Sequence, residues 1–181
     1  MMATDFRKCV FFDRDGIVNV APVKTRYVET WADFTIQDGF VDVLRAVTEL
    51  GYVAVVATNQ RGIATGALLR ENVEEIHDKL QETLRAEYGV SFLDIMCCPH
   101  DNNSCSCRKP QPGLLHMAAE RHNLNLSQSW MIGDKPTDMA AGRSAGCRTI
   151  LVGNESSEQA DFTFKTMTEL HSRIAQLLSI G

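Results

Sequence analysis

Five short apolar runs, at residues 9–12, 53–57, 92–97, 130–132 and 149–152, constrain this 181-residue chain more than any other feature. Each is too short for a helix and, but for Asp94 and Thr149, apolar at successive positions rather than alternate ones. That pattern fits a strand buried on both faces. Between the first two runs, Phe40, Val43, Leu44, Val47 and Leu50 recur at helical spacing and stop at Gly51. Between the next two, Val73, Ile76, Leu80 and Leu84 repeat the pattern and stop near Gly89. Pro112 suits the first turn of a helix carrying Leu114, Leu115, Ala118 and Ala119. A short helix over 137–145 ends at Gly146, and 166–178 reads as a C-terminal helix. Strands alternating with helices predict an α/β doubly wound parallel sheet, with ligands gathering at the carboxyl ends of its strands. The length fits a single domain over 1–181, with no segment large enough for a separate cap. The one long irregular stretch, 16–38, is expected to form a pocket wall, with Lys24 and Arg26 contacting an anionic group.

Composition narrows the partners. A net charge of −5 argues against broad nucleic-acid binding, which needs many cations, but leaves room for a local anion site. No apolar run approaches the roughly 18 residues that cross a bilayer. The opening residues lack a signal peptide's layout, so a cytoplasmic protein is expected. Four of the six cysteines fall between positions 97 and 107, which points to metal ligation rather than to a disulfide framework.

Three polar motifs end three of the predicted strands. "VFFDRDG" places Asp13 and Asp15 two positions apart, facing the same way in extended backbone. "VVATNQRG" offers the Thr58 hydroxyl and a run of backbone N–H groups, while "MIGDKPTD" offers Asp134, Lys135 and Asp138. Singly, each reads as readily as a polar turn or a helix cap. Together they lie on one rim of a doubly wound sheet, where Asp13, Asp15 and Asp134 supply oxygen ligands suited to Mg²⁺. A nucleophilic carboxylate needs its charge offset before a phosphate approaches, and Mg²⁺, Lys109, Lys135 and Thr58 meet that need.

The segment "CPHDNNSCSCRKP" pairs Cys98 with His100 and Cys105 with Cys107, each pair separated by one residue. Four such ligands close a tetrahedron, so a structural Zn²⁺ site over 98–107 is expected, directing the adjacent Arg108 and Lys109. The competing reading is free thiols with a surface histidine, or a Cys105/Cys107 redox pair. Cys97 points away from Cys98 and reads as a core thiol, as do Cys9 and Cys147. His77, His116, His122 and His171 read as solvated helix positions.

With "DRDG", "TNQ", "RKP" and "GDKPTD" in that order, the chain resembles the haloacid dehalogenase-like phosphatases. "TNQRGIATG", "CPH…CSCRKPQPG" and "GDKPTDM" are similar to the zinc-containing branch of heptose 1,7-bisphosphate and histidinol-phosphate phosphatases. The resemblance implies that Asp13 attacks phosphorus to form an aspartyl-phosphate, while Asp15 serves first as acid and then as base. It further implies Mg²⁺ held by Asp13, Asp134 and the backbone carbonyl of Asp15, with Asp138 supporting the metal's water shell. Thr58, Asn59, Gln60 and Arg61 would cradle phosphoryl oxygens, with Lys109 as clamp and Arg108 and Lys135 contacting substrate. Ile17 stands where the family motif usually has threonine. The implied activity is hydrolysis of a small phosphorylated metabolite, with the 7-phosphate of a heptose 1,7-bisphosphate expected first and histidinol phosphate second. A zinc-ribbon binding module is the reading from another class; it leaves the outlying acidic motifs without a role.

Overall fold

The computed structural model, which describes residues 6–22 and 27–179, buries all four residues of β1 (Cys9–Phe12). The strand lies inside a six-stranded sheet of order β3-β2-β1-β4-β5-β6 in which every pair is parallel. The other strands are β2 (Val53–Asn59), β3 (Asp94–Cys98), β4 (Trp130–Gly133), β5 (Arg148–Val152) and β6 (Phe162–Phe164). Strand order reverses between β1 and β4, which opens a crevice at their carboxyl ends.

Alternation along β1 divides the core. Val10 and Phe12 face one side, with α1 (Phe40–Glu49), α2 (Arg70–Tyr88) and α5 (Met167–Leu178); Cys9 and Phe11 face the other, with α3 (Gly113–His122). On that second side α4 (Pro136–Ser144) approaches so closely at Gly142 that an added Cβ would lie 2.7 Å from the Met131 Cβ. A ten-residue helix such as α1 is marginal alone. Burial of its Phe40, Val43, Leu44 and Val47, each contributing about 1.5–3 kcal/mol, holds it on the sheet. The Thr166 hydroxyl caps α5 by accepting from the Glu169 N–H at 3.1 Å, and Glu169 answers by accepting from the Lys165 N–H at 2.7 Å.

Two departures from the sequence reading have physical causes. β6 was not expected: it is three residues long and reached from β5 without a helix. Tertiary contacts hold this edge instead. Asp161 accepts from the Thr149 N–H at 2.8 Å and from Arg143 at 2.6 Å, and the Arg148 guanidinium covers the Trp130 ring at 4.3 Å.

The second departure corrects the expectation for 16–38. Among its described residues none lines the main pocket. Ile17, Val18, Val28 and Phe34 are buried in the core, and Asn19 bridges both Asp15 and Ile36. Apolar side chains drew this stretch inward. Thr30, Trp31 and Ala32 instead border a separate cavity of about 410 Å³ against α2. Lys24 and Arg26 lie outside the described residues. Among the described residues, no helix is long and apolar enough to cross a membrane.

Candidate active site

Asp13 leaves β1 with its N–H donating to the Ile132 carbonyl at 2.9 Å, so backbone pairing with β4 fixes where its carboxylate begins. The loop after β3 brings in Lys109, whose buried Nζ lies 2.7 Å from both Asp13 Oδ1 and Asp138 Oδ1. Asp138 occupies the first turn of α4, where its Oδ2 accepts the Lys135 N–H at 3.1 Å. One oxygen each of Asp13, Asp134 and Asp138 lie within 4.8 Å of one another. The three carboxylates outnumber the Lys109 ammonium and the more distant Lys135 ammonium, which leaves net negative charge suited to a cation. Burial first, then the neighbouring carboxylates, raises Asp13 to about 7, with Lys109 opposing. Burial likewise leads in raising Asp134 to about 6. Burial would push the Lys109 ammonium down, but the Asp13 and Asp138 carboxylates reverse this and hold it above the usual lysine range. Asp134 Oδ1 is buried without a hydrogen-bond partner, 3.9 Å from the Lys135 ammonium. A buried carboxylate oxygen without a hydrogen-bond partner, in a cluster with two further carboxylates, is a donor set that fits a hard cation. Glycine is required beside it: Gly16 has φ +95° and any Cβ there would collide with the Asp134 carboxylate.

The Asp15 carboxylate does not join that cluster, which leaves its backbone carbonyl as the group the sequence reading assigned to metal. Its oxygens accept from Arg14 Nη2 at 3.0 and 3.1 Å, from Asn19 at 3.0 Å and from Gln60 at 2.9 Å. Burial works to raise Asp15, but Arg14 and the amide donors outweigh it and hold the carboxyl below its usual value.

The residues after Thr58 are mostly committed to one another. Gln60 Nε2 donates to Thr58 Oγ1 at 2.9 Å as well as to Asp15. The Asn59 side chain clasps the Lys109 backbone, donating to its carbonyl at 3.0 Å and accepting from its N–H at 3.1 Å. Arg61 pairs with Asp101 at 2.5 Å, tying the β2 loop to the cysteine-rich loop. Thus Asn59, Lys109, Arg108 and Lys135 line a pocket of about 770 Å³ over Asp13 and Asp15, whereas the Thr58, Gln60 and Arg61 side chains do not. Asn102, Asn103, Gln111 and Thr137 line it as well and were not anticipated. Arg108 Nε donates to Asn102 Oδ1 at 2.9 Å, while its Nη1 is buried without a hydrogen-bond partner.

Cys98, His100, Cys105 and Cys107 converge beside this pocket. Cys98 Sγ lies 3.2 Å from Cys107 Sγ and 3.6 Å from Cys105 Sγ, and His100 Nδ1 lies 3.2 Å from Cys107 Sγ. A tetrahedron with zinc-like bond lengths has edges of about 3.5–3.8 Å, so the set fits Zn²⁺ with slight expansion. Burial first, then hydrogen bonds with Cys98 and Cys105, pushes the Cys107 thiol up, a crowding that a bound cation would relieve. Packing of α3 against this loop also needs glycine, since a Cβ at Gly113 would strike the Ser106 carbonyl. Cys97 is half-buried, and burial pushes its thiol up to about 11; Cys9 and Cys147 are buried as expected.

Two histidines need correction. His122 is only partly accessible, with its Nε2 2.7 Å from Asp94 Oδ2. His77 is only partly accessible and its Nε2 lies 3.2 Å from Arg14 Nη1. A signal was present in the sequence: His77 stands four residues after Val73 and three before Leu80, on the edge of the apolar stripe of α2.

Comparison with known proteins adds independent support. A family model described as HAD-hydrolase-like matches residues 106–176. A D-glycero-beta-D-manno-heptose-1,7-bisphosphate 7-phosphatase of Helicobacter pylori is 40% identical over 146 residues, covering 80% of this chain and 83% of the relative. The like-named protein of Haemophilus ducreyi is 32% identical, covering 91% and 96%. Among solved structures, a D,D-heptose 1,7-bisphosphate phosphatase from B. bronchiseptica, complexed with magnesium and phosphate, matches with a TM-score of 0.82 at 28% identity over 94% of this chain and 99% of that one.

Proposed function

The chain belongs to the HAD-like phosphatases and is a phosphoric monoester hydrolase, and on that footing we propose that it removes the 7-phosphate of a D-glycero-D-manno-heptose 1,7-bisphosphate. The observation that carries this reading is the pocket of about 770 Å³ whose floor holds Asp13 against Lys109 and whose wall holds the unpartnered Arg108 nitrogen. Asp13 is the nucleophile. Lys109 screens its charge and that of the incoming phosphoryl group. Arg14 favours the ionised form of Asp15 in the free chain, and the approaching phosphate dianion opposes this. Asp15 therefore takes up a proton with substrate and delivers it to the leaving oxygen, then takes one from the water that opens the aspartyl-phosphate. Thr58 and the backbone of residues 59–61 hold phosphoryl oxygens, while Arg108 and Lys135 meet the substrate's second anionic group. Asp13, Asp134 and the Asp15 carbonyl would hold Mg²⁺, with Asp138 beside them in the same cluster, sharing Lys109 with Asp13. When bound, this ion supplies charge neutralisation at the phosphoryl oxygens. Cys98, His100, Cys105 and Cys107 would hold Zn²⁺, which stiffens the loop carrying Arg108 and Lys109.

The chain works as one domain over 1–181 without a separate cap. Reduced thiols in a metal set fit the cytoplasm. Phosphate release from the heptose bisphosphate, measured with Mg²⁺ beside heptose 1-phosphate and histidinol phosphate, tests the substrate. Catalytic efficiency highest on histidinol phosphate would replace the heptose reading, and Mg²⁺-independent turnover would overturn the mechanism.

A further inference from the structure

We propose that Arg14 and His77 form a buttress that holds the Asp15 carboxylate in position for proton transfer, so that both are positioning residues for the reaction. This rests on the reading of Asp15 as the acid and base.

Arg14 is fully buried and does not line the pocket, so any effect it has on substrate passes through a neighbour. Its guanidinium is always charged, and a buried charge is stable only when paired. The partner is Asp15, reached by Nη2 at 3.0 and 3.1 Å and by Nε at 3.3 Å. The remaining fork nitrogen, Nη1, meets His77 Nε2 at 3.2 Å. A cation donates to a ring nitrogen only where that nitrogen offers a lone pair, so His77 is neutral, with its proton on Nδ1. Burial first, and then Arg14, lowers His77 to about 3, in agreement with that tautomer. His77 sits on α2 between Ile76 and Leu80, both wholly buried, so the packing of this helix fixes the far end of the guanidinium. A side chain on α2 thereby sets where the Asp15 oxygens point, although it touches neither substrate nor the carboxylate cluster.

Leaving-group dependence distinguishes this role from a general loss of structure. The ratio kcat/KM reports steps only through departure of the alcohol, and an aryl phosphate departs without needing a proton while a sugar phosphate needs one. In His77→Leu, kcat/KM should fall about 10-fold on the sugar bisphosphate and less than about 3-fold on p-nitrophenyl phosphate, a fraction of what full loss of a general acid costs. His77→Gln, whose amide oxygen accepts the same N–H, should restore most of it. Should His77→Leu fail to fold, Arg14→Lys, which keeps the charge but loses the fork, gives the same contrast. Equal losses on both substrates, or none, overturn the buttress. Asp15→Asn is the control and should show the same selective loss at about 10²-fold or more. If Asp15→Asn treats both substrates alike, the acid role fails and takes the buttress with it; if it is selective while the His77 variants are not, the buttress alone fails.

Discussion

The carboxylate cluster and the cysteine cluster sit at the same rim of the sheet, yet they are built in opposite ways. Cys98, His100, Cys105 and Cys107 come from ten consecutive residues at a strand end and its loop. Asp13, Lys109, Asp134 and Asp138 come from three separate parts of the chain and meet because β1 pairs with β4 on one side and, through β2, stands near the end of β3 on the other. The first cluster lies within that one strand end and loop, whereas the second places Asp13, Lys109 and Asp138 in the lining of the pocket. Local construction suits a structural staple, while assembly across the sheet gives a site preorganised by the whole core.

The largest break between the two should come from Asp13→Asn. Steady-state assays should show kcat reduced on the order of 10⁴-fold or more, with zinc content by elemental analysis and melting temperature little changed. Activity near that of the unaltered enzyme would remove Asp13 from the reaction. Next, Cys107→Ser should lose zinc and lower kcat/KM by about 10–100-fold, the range seen when a supporting shell is disturbed. A loss as deep as that of Asp13→Asn would erase the distinction between staple and site. Smaller still is Asn59→Ala, which removes both hydrogen bonds to the Lys109 backbone and should cost about 1–3 kcal/mol, read in thermal melts, with a several-fold loss of kcat. An unchanged kcat would show that the Asp13 and Asp138 pairing alone positions Lys109.

The mildest effect is in pH. With Asp13 raised to about 7 and Asp134 to about 6, chiefly by burial, the metal-free folded chain keeps protons that the unfolded chain has lost. These groups therefore subtract stability as pH rises through the window between about 4 and 7. A bound divalent cation favours their ionised forms. The gain in melting temperature on adding Mg²⁺ should be larger at pH 8 than at pH 6, by a few degrees. Equal gains at both pH values would mean that these carboxylates do not hold the ion.

Much of the site was legible because its motifs fall where strands stop. The Asp13 and Asp15 pair, the Cys98, His100, Cys105 and Cys107 set and Lys109 were all singled out from the sequence, and the structure gathers them at one rim of the sheet. Asp138 was read as an outer support, but the structure sets it against Lys109 and within reach of Asp13 and Asp134. Asn59 was read with the phosphate loop, yet it clasps a backbone fifty residues away. Such roles depend on hydrogen bonds between distant segments, and local spacing carries no trace of them.

By itself the sequence determined the parallel sheet, since runs apolar at every position are stable only when covered on both faces, and it determined the cysteine-rich loop, whose ligands lie within reach of one another in any compact conformation. Only the tertiary structure decided which carboxylates come together, that residues 16–38 turn into the core, that β6 extends the sheet at one edge, and that His77 backs Arg14. Those outcomes depend on strand order and helix packing, and these bring together groups whose separation along the chain exceeds anything a periodic pattern can encode.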